Sequence, residues 1–429
     1  MDKAKSPVWM PYTQMKTAPE PLKVKSGKGS WLYLENGEKI LDCISSWWVN
    51  IHGHACPEIA EAIYRQAKEL EQVISAGFTH EPAEKLARLI LTKLPDNLKR
   101  VFYSDNGSTA VEVALKMAFQ YWKNKGVQTR TSFLAFEGAY HGDTFGAMSS
   151  GSRSVFNDPF NELLFDVDRV PFPSTWSDDS EILEKEAASI SYLENLLSEN
   201  SGKYSAMIAE PLVQGASGMN MCRPEFMKKL QDILKKHDVL MIYDEVMTGF
   251  GRLGEWFACI KSGTEPDIIC LSKGITGGFL PLAVTVASEE VYESFYDDDA
   301  AKALYHGHSY TANPLGCAAA VASFGLLSEN ENSFRRIENI HKKEMESLRK
   351  YENLTRFRIC GTIASVDFYG DSGYLSSIGP ILKSFFTEKG FLLRPLGNVV
   401  YILPPYCTSE EEICMIYEII AKAAETALI

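Results

Sequence analysis

The sequence predicts an α/β protein, with a mostly parallel, helix-covered sheet in a large domain and a smaller α+β domain. Three observations carry that reading. From residue 101 to 287, short apolar runs alternate with segments of helical period, the order expected of strand–helix units. Two of the runs, Val239–Tyr243 and Asp267–Leu271, are apolar almost throughout, as suits strands buried on both faces. Finally, 429 residues exceed one compact core, and the composition turns charged from Ser328 onward.

In chain order, residues 1–30 are rich in Pro and Lys, carry isolated aromatics (Trp9, Tyr12) and read as an arm. Trp31–Leu34 and Lys39–Asp42 around Asn36-Gly37 predict a hairpin. In Ser45-Ser46-Trp47-Trp48-Val49-Asn50, successive side chains face opposite ways, so only one tryptophan is expected in the core. Pro57–Leu70 and Ala83–Leu94 have helical period. Val101–Tyr103 is a strand, Ser104-Asp105-Asn106-Gly107-Ser108-Thr109 a turn, and Ala110 to Tyr121 a helix. Strands follow at Ser132–Phe136 and Tyr204–Glu210, and helices at Ile182–Leu197 and Phe226–His237. Leu315–Leu327 is an Ala-rich apolar helix joining the two parts. Beyond it come a helix at Phe334–Tyr351, strands in Arg358–Phe368, a helix at Ile378–Lys389 and a strand pair, Phe391–Pro395 with Val399–Pro404. The expected domains are residues 1–50 as arm and part of the small domain, 51–327 as the large domain, and 328–429 as the C-terminal small domain.

A net charge of −13 argues against a nucleic acid or an anionic membrane as partner. Nine cysteines without a CxxC spacing read as reduced thiols of a cytoplasmic protein, and neither a signal-type apolar segment nor a membrane span is evident. His141 with Asp143, and His306 with His308, have spacings a metal could use, but too few further ligands accompany them, and no metal is expected.

The chemistry sits where the two apolar runs stop, at Asp244-Glu245 and at Ser272-Lys273-Gly274. Ligands of such sheets bind beyond the carboxyl ends of the strands. An acid and a lysine there suit either a buried ion pair or pyridoxal phosphate, whose aldehyde takes a lysine amine and whose ring nitrogen takes an Asp. Likewise Gly107-Ser108-Thr109 at a helix start is either a cap or a phosphate site.

The stretch Asp244-Glu245-x-x-Thr248-Gly249-Phe250-Gly251-Arg252, followed by Ser272-Lys273-Gly274 after PDIICL, resembles the class III aminotransferases, a branch of the fold-type I pyridoxal-phosphate transferases. The likeness runs from Tyr12 to Tyr406. It implies that Lys273 bonds the cofactor, Asp244 pairs with its ring nitrogen, Tyr140 stacks on its face, and Gly107 and Ser108 hold its phosphate. It also implies a homodimer with shared active sites, in which the Gly307-His308-Ser309 loop reaches the neighbour's phosphate. Tyr12, Trp47, Trp48, Tyr140, Asp143, Arg252, Lys273, Gly307 and Arg394 are the implied substrate contacts. Trp47-Trp48, Tyr12 within Pro-Tyr-Thr, Tyr140-His-Gly-Asp143 and Arg394-Pro-x-Gly-x-x-x-Tyr401 resemble the biotin-biosynthetic branch. There S-adenosylmethionine donates the amine and 8-amino-7-oxononanoate accepts it, giving 7,8-diaminononanoate. The alternative is another class III transaminase, using an omega-amino acid or lysine. Met247 stands where many members carry Gln, which disfavours the broad amino-acid transaminases.

Overall fold

A computed structural model describes residues 7–370, 373 and 376–426. Its centre is a seven-stranded sheet in the order Leu98–Ser104, Ala283–Ser288, Ile268–Leu271, Leu240–Asp244, Tyr204–Ala209, Ser132–Phe136, Val167–Val170. Ala283–Ser288 runs antiparallel to both neighbours and every other pairing is parallel. The strands at Tyr204–Ala209, Leu240–Asp244 and Ile268–Leu271 are buried at every position, which is why their sequences show no alternation. In register, Asp244 lies beside Cys270, so Asp244 and the turn at Ser272-Lys273 leave the sheet at the same edge.

Helix Gly107–Asn124 covers one face of this sheet, with Ala110, Val113, Ala114, Met117, Ala118 and Tyr121 turned inward at helical spacing. Asn106 caps it: its side chain accepts from Thr109 N at 3.0 Å while the Thr109 hydroxyl serves Asn106 N. Helix Pro314–Glu329 is apolar around most of its surface because it is packed against Pro57–Glu69 and Glu81–Leu91.

Besides a two-stranded ribbon, Val213–Gln214 with Asn220–Met221, two smaller sheets accompany the central one. Val24–Lys28, Trp31–Leu34 and Lys39–Asp42 pair antiparallel, and Phe391–Leu392 joins parallel to Lys39–Asp42. Leu354–Cys360, Ile363–Phe368 and Val399–Ile402 form a three-stranded antiparallel sheet beside helices Asn332–Leu348 and Glu410–Glu425. This corrects the expected pairing of Phe391–Pro395 with Val399–Pro404, for the two strands enter different sheets. Pro395 has no N–H to continue a ladder, and a single bridge, Leu396 to Val399, is what remains of the hairpin.

Candidate active site

Both charged strand ends open into one pocket of about 500 Å³, lined by Trp48, Gly107, Ser108, Tyr140, Asp244 and Lys273 among others. Lys273 begins a short 3-10 turn, Lys273–Thr276, with φ at 45°, and Gly277 at 62° closes it. A lysine in left-handed backbone is a strained residue held by its surroundings. Its Nζ lies 4.6 Å from the centre of a Trp48 ring. Burial lowers the amine from its usual 10.5 to about 8, although the carboxylates of Asp244 and Glu210 pull the other way. Such an amine is neutral far more often than a surface lysine and is correspondingly nucleophilic.

Asp244 is nearly inaccessible to water. One carboxylate oxygen accepts from Val246 N at 3.1 Å, and the other meets Nδ1 of the buried His141 at 2.8 Å. Behind this pair, Glu210 accepts from Tyr140 N at 3.0 Å and Gly215 N at 2.9 Å. Its burial, with Asp244 close by, pushes its carboxyl up to about 7. His141, whose spacing from Asp143 a metal could use, is instead the partner of Asp244, and Glu210 is the anchor of Tyr140. For Glu210 the signal existed, since it is a third charge at the end of an apolar strand.

The far side of the pocket is the amino end of helix Gly107–Asn124, where Asp105, Asn106, Gly107 and Ser108 face the cavity. Bare backbone is required there. A Cβ on Gly107 would come within 2.7 Å of Val246, and one on Gly142, at φ 128°, would overlap the Ser108 hydroxyl. A pyridoxal-type cofactor fits this donor set. Its phosphate would meet the free N–H groups and the positive end of the helix, its ring nitrogen Asp244, and its aldehyde carbon Lys273.

Tyr12, Trp47 and Arg394 gather on the outer side of Tyr140. The Tyr12 hydroxyl donates to Asp143 and lies 3.4 Å from that of Tyr140, while burial, with the Asp143 bond second, raises it to about 12. Its ring is 5.9 Å from that of Trp47, and the Arg394 guanidinium lies 4.7 Å over Trp47. The tryptophans do divide: Trp47 is 42% exposed, whereas Trp48 is 5% exposed and donates from Nε1 to Tyr401 Oη at 3.0 Å.

Arg252 requires a correction. It is 1% exposed and does not line the pocket; its guanidinium donates to the carbonyls of Pro404 (2.8 Å) and Trp48 (3.3 Å). It braces the wall from behind, where a substrate contact was expected. Gly307, His308 and Ser309 also lie off the pocket of their own chain, in a loop fastened by Gln72 to the Ser309 carbonyl and by Ser75 to the Thr311 carbonyl at 2.7 Å.

The family model for class III aminotransferases matches residues 12–424. A relative from Synechococcus elongatus named adenosylmethionine-8-amino-7-oxononanoate aminotransferase is 55% identical, over 96% of this chain and 97% of its own. The crystal structure of the enzyme of that name from Methanocaldococcus jannaschii is 34% identical and superposes with a TM-score of 0.90, covering 98% of this chain and 97% of the other. A PLP-bound amine transaminase from an uncultivated Pseudomonas species gives 0.90 at 27% identity, over 99% of both chains. The chain therefore belongs to the class III aminotransferases.

Proposed function

We propose that this chain transfers the amino group of S-adenosylmethionine to 8-amino-7-oxononanoate, forming 7,8-diaminononanoate for biotin biosynthesis, with pyridoxal 5'-phosphate as cofactor. The observation that carries the proposal is the chain of contacts that runs outward from the pocket through Tyr140, whose hydroxyl lies 3.4 Å from that of Tyr12. Lys273 and the Asp244–His141 pair stand at the pocket floor, and the aromatic and cationic group of Tyr12, Trp47 and Arg394 stands beyond Tyr140. The names of the relatives give the two substrates.

Bound pyridoxal phosphate supplies an electron sink for the carbon that carries the transferred amine. Asp244, oriented by His141, is suited to keep a proton on the ring nitrogen. Lys273, with its depressed amine, is suited first to hold the cofactor and then to carry a proton to and from the substrate carbon. Gly107 and Ser108 would hold the phosphate, and Tyr140 would cover a ring face. Aromatic faces at Trp47, Trp48 and Tyr12 suit the adenine and the sulfonium cation of the donor. Arg394 suits the carboxylate at the far end of the acceptor.

The reading extends to a homodimer. Gly307, His308 and Ser309 lie off their own chain's pocket, which supports a loop that completes a neighbour's phosphate site. Residues 51–327 form the cofactor domain in this reading, and 1–50 join 328–429; the pairing of Lys39–Asp42 with Phe391–Leu392 supports that grouping. No helix among the described residues is long and apolar enough to cross a membrane, and a cytoplasmic enzyme acting on small molecules is the simplest setting.

The test is a half-reaction. Purified holoenzyme is mixed separately with S-adenosylmethionine, lysine and an omega-amino acid, and the visible absorbance of the lysine-bound cofactor is followed. S-adenosylmethionine should discharge that band. If lysine or the omega-amino acid does so and S-adenosylmethionine does not, the assigned donor is wrong while the family stands.

A further inference from the structure

Between the hairpin strand Lys39–Asp42 and the pocket runs a turn that no ordinary sequence preference explains. Ser45 has φ 51°, Ser46 has φ 59° with ψ −92°, and Trp48 has φ 67°. None is a glycine, and such backbone persists only where its surroundings over-determine it. One side chain fixes the entry to this turn, at Ile44 and Ser46. The carboxylate of Asp42 is fully buried and accepts four hydrogen bonds. One oxygen takes Ile44 N at 3.2 Å and Ser46 N at 2.8 Å; the other takes Ser46 Oγ at 2.9 Å and His54 Nε2 at 2.9 Å.

His54 is itself clamped. Asn50 Nδ2 donates to its Nδ1 at 2.8 Å, so that Nε2 carries the proton given to Asp42. Its backbone N–H is bonded to Gly29 O at 2.7 Å, and a Cβ on Gly27 would lie 2.6 Å from its own Cβ. The imidazole therefore has one place to be, and the carboxylate follows it.

Asp42 is also the root of two substrate-side groups. Going forward, the turn it fixes presents Trp47 to the rim and Trp48 to Lys273. Going sideways, Asp42 pairs in register with Leu392, two residues before Arg394, whose guanidinium rests on Trp47. We infer that Asp42, held by His54, is a positioning residue that sets the substrate-side wall of the pocket through Trp47 and Trp48 without touching substrate. The inference rests on the proposed amino transfer for its kinetic consequences but not for its geometric one, and the two are tested separately.

The geometric arm uses holoenzyme labelled with 5-fluorotryptophan, the Trp47 and Trp48 resonances being assigned with Trp47→Phe and Trp48→Phe. Asp42→Ala should shift or broaden both while leaving Trp122 and Trp176 in place, and the visible band of the lysine-bound cofactor should persist. His54→Gln, whose amide can still donate to Asp42, should resemble the parent, and His54→Ala should resemble Asp42→Ala. Should Asp42→Ala fail to fold, Ser46→Ala, which removes one of the four bonds, takes its place with the same expected direction. Unmoved Trp47 and Trp48 lines in a folded variant overturn the inference, whatever the substrate proves to be.

The kinetic arm measures kcat and KM for donor and acceptor. Misplacing the wall should lower kcat/KM by on the order of ten- to a hundredfold, mostly through KM. In a Trp47→Ala background the same Asp42 change should do less, because one of the two groups it positions is gone. Effects that multiply fully in the double variant assign Asp42 to general stability and overturn the inference. A parent enzyme inert toward S-adenosylmethionine removes the donor assignment alone, because the fluorine resonances still decide the role of Asp42.

Discussion

Replacing Lys273 by methionine removes a cation from a site that disfavours it, and the consequence can be sized. Burial lowers the amine from 10.5 to about 8 even with Asp244 and Glu210 nearby. At about 1.4 kcal/mol per unit, that displacement corresponds to at most about 3 kcal/mol of cost in holding the charged lysine in the cofactor-free fold. The sign follows from proton counting. Below about pH 8 the amine is protonated in both folded and unfolded chains, and the folded state bears the whole cost. Between about 8 and 10.5 the unfolded chain holds a proton that the folded chain has released, so stability rises with pH and the cost fades. Cofactor-free Lys273→Met should therefore be more stable than its parent at pH 7, by up to about 3 kcal/mol, and the gap should close by about pH 10.5. Guanidinium unfolding of both proteins, repeated from about pH 7 to 10, measures it. A Lys273→Met variant no more stable than its parent at pH 7, or a gap that does not narrow as pH rises, would refute a depressed amine. The same depression leaves roughly one amine in ten neutral at pH 7, against about one in three thousand for an ordinary lysine. Cofactor capture by the parent should accordingly quicken about tenfold per pH unit and level off near pH 8.

The other expectations concern the cradle, the rim and the neighbouring subunit. Gly107→Ala should weaken cofactor binding, and Val246→Ala in the same chain should restore part of it, since the added Cβ meets Val246 at 2.7 Å; equilibrium titration of the cofactor reads both. Arg394→Ala should raise KM for 8-amino-7-oxononanoate by a factor corresponding to roughly 1.5–3 kcal/mol, leaving cofactor absorbance unchanged, and an unaltered KM would move the carboxylate contact elsewhere. Tyr401→Phe strands the buried Trp48 N–H and should cost about 1–3 kcal/mol in unfolding experiments. Mixed dimers of Ser309→Asp with Lys273→Ala subunits should regain about half the parental activity, because one site then carries neither lesion; a mixture as inert as its parents would deny the shared site.

Much of this architecture was readable in advance, for identifiable reasons. Strands such as Ser132–Phe136 are buried on both faces, so their apolar runs stand out. Asp244 and Lys273 could be found because a charge ending a buried strand has few ordinary explanations. Residues whose meaning lies in a distant partner were not legible. His141 acquires its role from Asp244, 103 positions away, and a histidine looks alike before a carboxylate or a metal. Arg252 follows a glycine-rich turn, where nothing local says whether a guanidinium faces a ligand or two carbonyls of its own chain. The strand at Phe391–Leu392 finds its partner in Lys39–Asp42, near the other end of the chain, a pairing that neither period nor turn chemistry encodes.

Trp48 shows why those distant partners matter most at the site. Its ring lies against the Lys273 amine, its indole N–H is taken by Tyr401 of the C-terminal antiparallel sheet, and its carbonyl is held by Arg252. Arg252 is in turn tied to Pro404, just beyond that sheet's last strand. The tryptophan is thus fixed by groups from three remote parts of the chain, in a backbone conformation it would not choose alone. A pocket wall built this way is rigid only while both smaller sheets keep their places against the central one. Substitutions in the C-terminal sheet should therefore reach the reacting amine through Trp48, although none of those residues bears a charge that chemistry at the amine would use.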